Sequence, residues 1–147
     1  MKKISYIYLN DHILRILSMS ETNQGMIINE PLVFFSEITA SPQAIGAIAL
    51  ESLSCFKIGI PHPPDATAWR IRGQEVLNAM RLKSWKSFSK SAKVIGISTE
   101  DEKVNIKISP YSTENSSFEE ITEKSRTCTS EPEALGKAIL EAFDDCE

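Results

Sequence analysis

The sequence is short of the residues from which most enzyme chemistry is built: three cysteines, two histidines and six glycines in 147 residues. Cys55, Cys128 and Cys146 lie far apart with no Cys-x-x-Cys pair, which argues against a disulfide framework and against a zinc site. Free cysteines of this kind behave as small, buried or half-buried apolar residues, and a reducing cytoplasm is the economical setting. His12 follows a turn and His62 lies between prolines. With no HxxxH, no HxH and no carboxylate cluster at ligand spacing, neither reads as a metal ligand or a catalytic group. There is no GxSxG, no Walker-type loop and no GxGxxG, and so few glycines leave little material for a phosphate cradle. Nothing in the chain identifies an enzyme, and no cofactor or metal is called for. Long apolar runs are missing too: a membrane span needs roughly 18 such residues, and Ala44 to Leu50 is too short. Met1-Lys2-Lys3 has the charge of a secretion signal, but Tyr6, Asn10, Asp11 and His12 interrupt what would be its hydrophobic segment, so no export is indicated.

What the chain does have is the composition of a soluble globular protein, 41% hydrophobic and 24% charged, at a length suited to one domain, taken here as 1–147. It also has an internal echo. Thr39-Ala40-Ser41-Pro42-Gln43-Ala44-Ile45-Gly46 returns as Thr129-Ser130-Glu131-Pro132-Glu133-Ala134-Leu135-Gly136. The apolar ladder Ile45, Ile48, Ala49, Leu53 is matched by Leu135, Ala138, Ile139, Phe143, with the three-and-four spacing of a helix face. Proline just inside the start, with Ser41 or Ser130 as cap, predicts two helices that begin alike. Gly46 and Gly136 fall mid-helix, at about 1 kcal/mol relative to alanine, and a close approach of each helix to a sheet is the simplest compensation.

Lys3 to Asn10 and His12 to Met19 alternate as two strands around the turn Asn10-Asp11, predicting an N-terminal hairpin. Met26 to Ile28 and Leu32 to Phe35 are short strand candidates around Pro31, and Lys57 to Ile60 is another, stopped by the stiff Pro61-His62-Pro63-Pro64-Asp65. Residues 74–82 predict a helical turn or two, and Leu82 to Ala92 a short amphipathic helix. Val94 to Thr99 and Val104 to Ser109 make a second hairpin around Glu100-Asp101-Glu102-Lys103. Tyr111 to Ser117 reads as an exposed loop, and Phe118 to Thr129 as one more strand before the final helix. The expected fold class is α+β: an antiparallel sheet of hairpins with two pseudo-equivalent helices packed on it.

The net charge of −4 conceals a polarised chain. Residues 1–99 carry eleven Lys and Arg against seven Asp and Glu, a balance of +4; residues 100–147 carry five against thirteen, a balance of −8. Such asymmetry speaks to partners and association rates. The basic part interleaves cations with aromatics: Trp69, Arg70, Arg72, Arg81, Lys83, Trp85, Lys86, Phe88, Lys90 and Lys93. Of these, Arg81, Lys83, Trp85, Lys86 and Lys90 would form a single-strand nucleic-acid site, cations on phosphates and Trp85 on a base. The reading preferred here places Trp85 and Phe88 mainly in the core, with the lysines as a solvated rim. The acidic part holds Glu114, Glu119, Glu120, Glu123, Glu131, Glu133, Asp144, Asp145 and Glu147. Such a run serves solubility or offers a surface to a basic protein, and in a helix's first turn Glu131 and Glu133 also suit the macrodipole.

The segment Lys83-Ser84-Trp85-Lys86-Ser87-Phe88 through Ile97, the strand end Ile106-Lys107-Ile108-Ser109-Pro110, and the closing Glu133 to Phe143 resemble immunity proteins of bacterial contact-dependent growth inhibition systems. The resemblance implies a small cytoplasmic protein that binds the C-terminal toxin domain of a delivered effector, commonly a nuclease, and inactivates it by occlusion. It carries no toxin-binding motif to transfer. On charge alone, Glu119, Glu120, Glu123, Asp144 and Asp145 are the expected contacts with a basic toxin, one to one, with no membrane and no direct nucleic acid involved; a small nucleic-acid-binding module using residues 69–93 is the alternative.

Overall fold

The computed structural model describes residues 2–101, 103–108, 111–112, 117–118 and 121–145. The N-terminal hairpin forms as the alternation predicts: β1 (Lys3–Asn10) and β2 (Ile13–Thr22) pair antiparallel, with Ile7 opposite Ile16. Asp11 and His12 make the turn with φ of 51° and 64°, a left-handed conformation that suits a tight hairpin. The two candidates around Pro31 fuse into one strand, β3 (Ile27–Glu37), because the partner's register slips between Leu17 and Met19, opposite the stretch that holds Pro31. Proline is tolerated there because β3 is an edge strand and the slip is a bulge.

The echoed segments form α1 (Pro42–Ser54) and, at the far end, α4 (Pro132–Asp144). Between them lie β4 (Lys57–Ile60), α2 (Ala66–Ala79), α3 (Trp85–Ser91), β5 (Lys93–Glu100), β6 (Lys103–Ile108), the two-residue strands β7 (Tyr111–Ser112) and β8 (Ser117–Phe118), and β9 (Ile121–Thr129). The main sheet has seven strands in the order β3-β2-β1-β5-β6-β9, with β4 running parallel to the end of β2. The α+β class and the second hairpin follow the sequence reading. The expected loop from Tyr111 to Ser117 instead opens with β7 and ends on the first residue of β8, and the two short strands pair with each other.

Strand alternation sends two sets of side chains to opposite faces, and both are covered. On one face Ile7, Leu14, Ile16, Ile95, Ile97, Val104 and Ile106 meet Ile45, Ala49 and Leu53 of α1 and Leu135, Ile139 and Phe143 of α4. On the other, Tyr8, Leu17, Met19 and Val94 meet Val76 and Met80 from α2 and its C-cap, and Phe88 of α3. The second helical layer is larger than residues 74–82 suggest. α2 begins eight residues earlier, at Ala66, because Asp65 caps it by accepting from the Ala68 amide at 2.9 Å. α3 is shorter than Leu82 to Ala92 and starts behind the cap Ser84.

The glycine expectation holds in principle and fails in its partner. Both glycines do face backbone, but that of the other helix and not of the sheet: a Cβ on Gly46 would overlap the carbonyl of Pro132, and one on Gly136 the carbonyl of Pro42. The caps differ as well. Ser41 accepts from the Ala44 amide at 3.2 Å, whereas the N-cap of α4 is Glu131, whose side chain makes no cap bond; Ser130 falls one residue too early. One buried polar group links α1 to the sheet. Ser52 Oγ lies 2.8 Å from Ser5 Oγ and 2.9 Å from Ser18 Oγ, three hydroxyls satisfying one another where none reaches water.

Candidate functional site

His12 is exposed in the hairpin turn. His62 has its Nδ1 3.0 Å from Thr22 Oγ1 and its ring edge-on to Trp69 at 5.5 Å. The Gln24 and Met26 amides both donate to that Thr22 oxygen at 3.2 Å, leaving the hydroxyl proton to donate to His62 Nδ1. This clasp anchors the proline-rich segment to the end of β2. Among the described residues no three of His, Cys, Asp and Glu gather as a metal-binding group, and no helix is long and apolar enough to cross a membrane. Cys55 and Cys128 are half-buried free thiols, and burial pushes the Cys128 thiol up; Cys146 lies outside the described residues.

The acidic surface is described in part. Glu119 and Glu120 lie outside the described residues, and of Glu123 only its place in β9 is known. Asp144 and Asp145 stand exposed at the end of α4. Asp145 ion-pairs with Arg126 of β9, and Glu141 approaches the same guanidinium at 3.6 Å, so Asp145 is already engaged inside the fold. Along α4, Glu133 pairs with Lys137 at 3.3 Å, an exposed helix pair of little energetic weight. Beside these groups an open cleft of about 670 Å³ runs between β9 and α4, lined by Arg126, Cys128, Lys137, Glu141 and Asp145. No basic residue occupies the last turn of α4, and carboxylates there oppose the helix dipole, so Asp144 gains nothing locally from its position.

The basic and aromatic set is split by the fold. Phe88 is buried at 5% exposure, as expected, but Trp85 is 37% exposed and does not sit mainly in the core. It stands at the start of α3, edge-on to Tyr8 at 5.4 Å and tilted against Phe88 at 5.8 Å, one side in the aromatic cluster and the other in solvent. Lys83, Lys86 and Lys90 are exposed, as a rim should be. Arg81 turns away from them with φ of 59° and lies 4.6 Å over the Phe35 ring.

Arg15 was not legible as a special position. From mid-β2 its guanidinium lies 5.4 Å over Phe88 and 5.8 Å over Phe35, and Nε donates to the Met80 carbonyl at 2.8 Å. Nη1 is buried with no hydrogen-bond partner among the described residues, and burial lowers the arginine below its ordinary range, with Asp11 opposing and Arg81 adding to the shift. Its alternation with Leu14 and Ile16 puts it on the α2–α3 face, but only the fold shows which rings it meets.

A family model described as CDI immunity protein matches residues 3–146. Two solved structures share the fold over the whole chain. One is a protein of unknown function from Neisseria meningitidis, 15% identical with a TM-score of 0.82, the match covering 100% of this chain and 96% of that one. The other comes from the CdiA-CT/CdiI toxin and immunity complex of Yersinia pseudotuberculosis, 12% identical with a TM-score of 0.79, covering 100% and 98%. No curated protein matches the sequence.

Proposed function

The chain belongs to the CDI immunity protein family, and on that premise we propose that it binds the C-terminal toxin domain of a cognate effector one to one and inactivates it by covering the active site. The observation that carries this reading is the family match over residues 3–146. The toxin is a nuclease with a basic surface, and the protein meets it in the cytoplasm without itself catalysing a reaction. Glu119, Glu120, Glu123 and Asp144 steer and anchor the complex, and Asp145 takes part while holding Arg126. A −8 balance over residues 100–147 supplies the field, and such a surplus of carboxylates raises the encounter rate with a cationic partner while keeping nucleic acid away.

Cells expressing the toxin domain of the effector encoded directly upstream should survive when this chain is co-expressed. A Glu119→Lys, Glu120→Lys, Glu123→Lys variant should protect less well and associate more slowly. Equal protection and an equal association rate in this triple variant and in an Asp144→Lys, Asp145→Lys variant would reduce the acidic surface to a solubility role. The nucleic-acid alternative retains the partial exposure of Trp69 and Trp85. Against it, Phe88 is buried, Arg81 is stacked on Phe35, and each tryptophan is held edge-on to another ring, Trp69 to His62 and Trp85 to Tyr8, where a stacking platform needs several open aromatics.

A further inference from the structure

Helix α2 exposes more than it packs. Of its fourteen residues only Val76 is fully buried, while Trp69 is 37% and Ile71 53% exposed. It also carries Gly73 in its interior, where glycine is among the least favourable residues. At Gly46 and Gly136 the close approach of another backbone accounts for the glycine. At Gly73 nothing does: a Cβ there would meet no atom within 4 Å. What the missing side chain leaves is room. Two adjoining cavities of about 430 and 90 Å³ share Asn29, Gly73 and Val76, and together they run between α2 and β3 from Trp69 to Trp85.

The charged side chains lining this groove are Arg70 and Arg72, the second paired with Glu30 of β3. Arg70 lines the larger cavity. Arg72, two residues on, is taken up by Glu30 and by the Asn29 carbonyl at 3.2 Å, so among the described residues lining the groove Arg70 is the cation without such a partner. Across α2 and α3, Arg70, Arg72, Lys86 and Lys90 stand against Glu75 alone. Val76 and Leu77, with Trp85 at the end, give apolar walls. Apolar walls with one cation at the mouth suit an apolar side chain next to a carboxylate; a phosphate backbone would call for several cations along its path.

We propose that the groove between α2 and β3 is a docking site for the toxin domain, which inserts a large apolar side chain over Gly73 and sets a carboxylate against Arg70. The inference rests on the toxin-binding reading above and adds to it a contact at the β3 edge of the sheet, apart from the acidic surface beside β9. Gly73 is then kept for the space it leaves, and Trp85 is half-exposed because it forms the groove's end wall.

The test measures binding of the C-terminal domain of the upstream-encoded effector to the wild-type chain, Gly73→Leu and Arg70→Glu, with thermal unfolding of each. A Cβ at Gly73 meets nothing within 4 Å and leucine favours a helix over glycine, so the unfolding midpoint of Gly73→Leu should equal or exceed that of wild type while affinity falls about tenfold or more, chiefly through faster dissociation. Arg70→Glu should weaken binding to a similar degree. Wild-type affinity in both folded variants overturns the groove and leaves the toxin reading standing. Failure of the wild-type chain to bind that domain overturns the toxin reading and this occupant with it. Sub-micromolar binding of a single-stranded RNA oligonucleotide by the wild-type chain, lost in both variants, assigns the groove to nucleic acid and overturns the proposal.

Discussion

Gly46 of α1 lies against the backbone of Pro132, so close that a Cβ on the glycine would fall 2.9 Å from the proline Cα and overlap its carbonyl. Gly136 of α4 stands in the same relation to Pro42, its Cβ falling 2.8 Å from that Cα. The two helices are therefore crossed in a reciprocal contact, each presenting its fifth residue to the first residue of the other. The echo in the sequence is the signature of this local two-fold: the proline that starts each helix is also the surface that the opposite glycine must clear.

Gly46→Leu and Gly136→Leu should each destabilise by about 1–3 kcal/mol or more, because backbone, unlike a flexible side chain, cannot step aside. Gly73→Ala, with open space at its Cβ, should instead stabilise by up to about 1 kcal/mol. Urea unfolding of the three variants checks the contrast; a destabilised Gly73→Ala, or a tolerated Gly46→Leu, would contradict the packing described.

Association with the toxin domain should slow as salt rises, since exposed charges are screened over about 8 Å at physiological ionic strength. The Glu119, Glu120 and Glu123 reversal should flatten that dependence. Stopped-flow rates from low to high salt measure both, and a salt-independent wild-type rate would remove the steering role of the acidic surface.

Stability should fall at alkaline pH through Tyr8. Burial, with a smaller contribution from Tyr6, raises its phenol well above the ordinary tyrosine range. Above pH 10 the unfolded chain loses this proton while the folded chain keeps it, so the folded state binds more protons and loses stability as pH rises, by up to about 1.4 kcal/mol per pH unit. Below pH 10 the contribution is fully present. Tyr8→Phe should have a shallower decline between pH 10 and 11.5 in denaturant titrations; an unchanged slope would count against the assignment.

Arg15→Lys should cost about 1–2 kcal/mol, because an ammonium cannot both reach the Met80 carbonyl and stack between two rings. Chemical denaturation reads the change, and the near-ultraviolet circular dichroism of the aromatic cluster should weaken with it. Lysine at wild-type stability would show the guanidinium geometry to be incidental.

The β-structure was legible where alternation was clean and turns were marked, as in Lys3 to Asn10 and His12 to Met19 around Asn10-Asp11 and in the β5–β6 hairpin around Asp101. The helices of the echo were legible from proline, ladder and glycine. Helix α2 was underread because Ala66 to Gly73 has no apolar periodicity: its sides are exposed, so burial left no imprint on the residues. Trp85 was misjudged for a related reason. Helical spacing with Phe88 placed both on one stripe, but Trp85 opens α3, where one side of its ring runs past the edge of the core. Of the proposed site, the charge polarity was readable as a balance, whereas the pairing of Asp145 with Arg126 and the space over Gly73 were not.

By itself the sequence determined the periodicities, the sites where the chain must turn, the polarity of its charge and the two segments that would become equivalent helices, because each depends on neighbours within a few residues. Tertiary structure decided which backbone meets each glycine, which rings surround Arg15 and which cation is left facing the groove. These depend on contacts between residues far apart in the chain, such as Gly46 with Pro132 and Arg72 with Glu30, and spacing along the chain carries no record of a contact made only when distant elements pack.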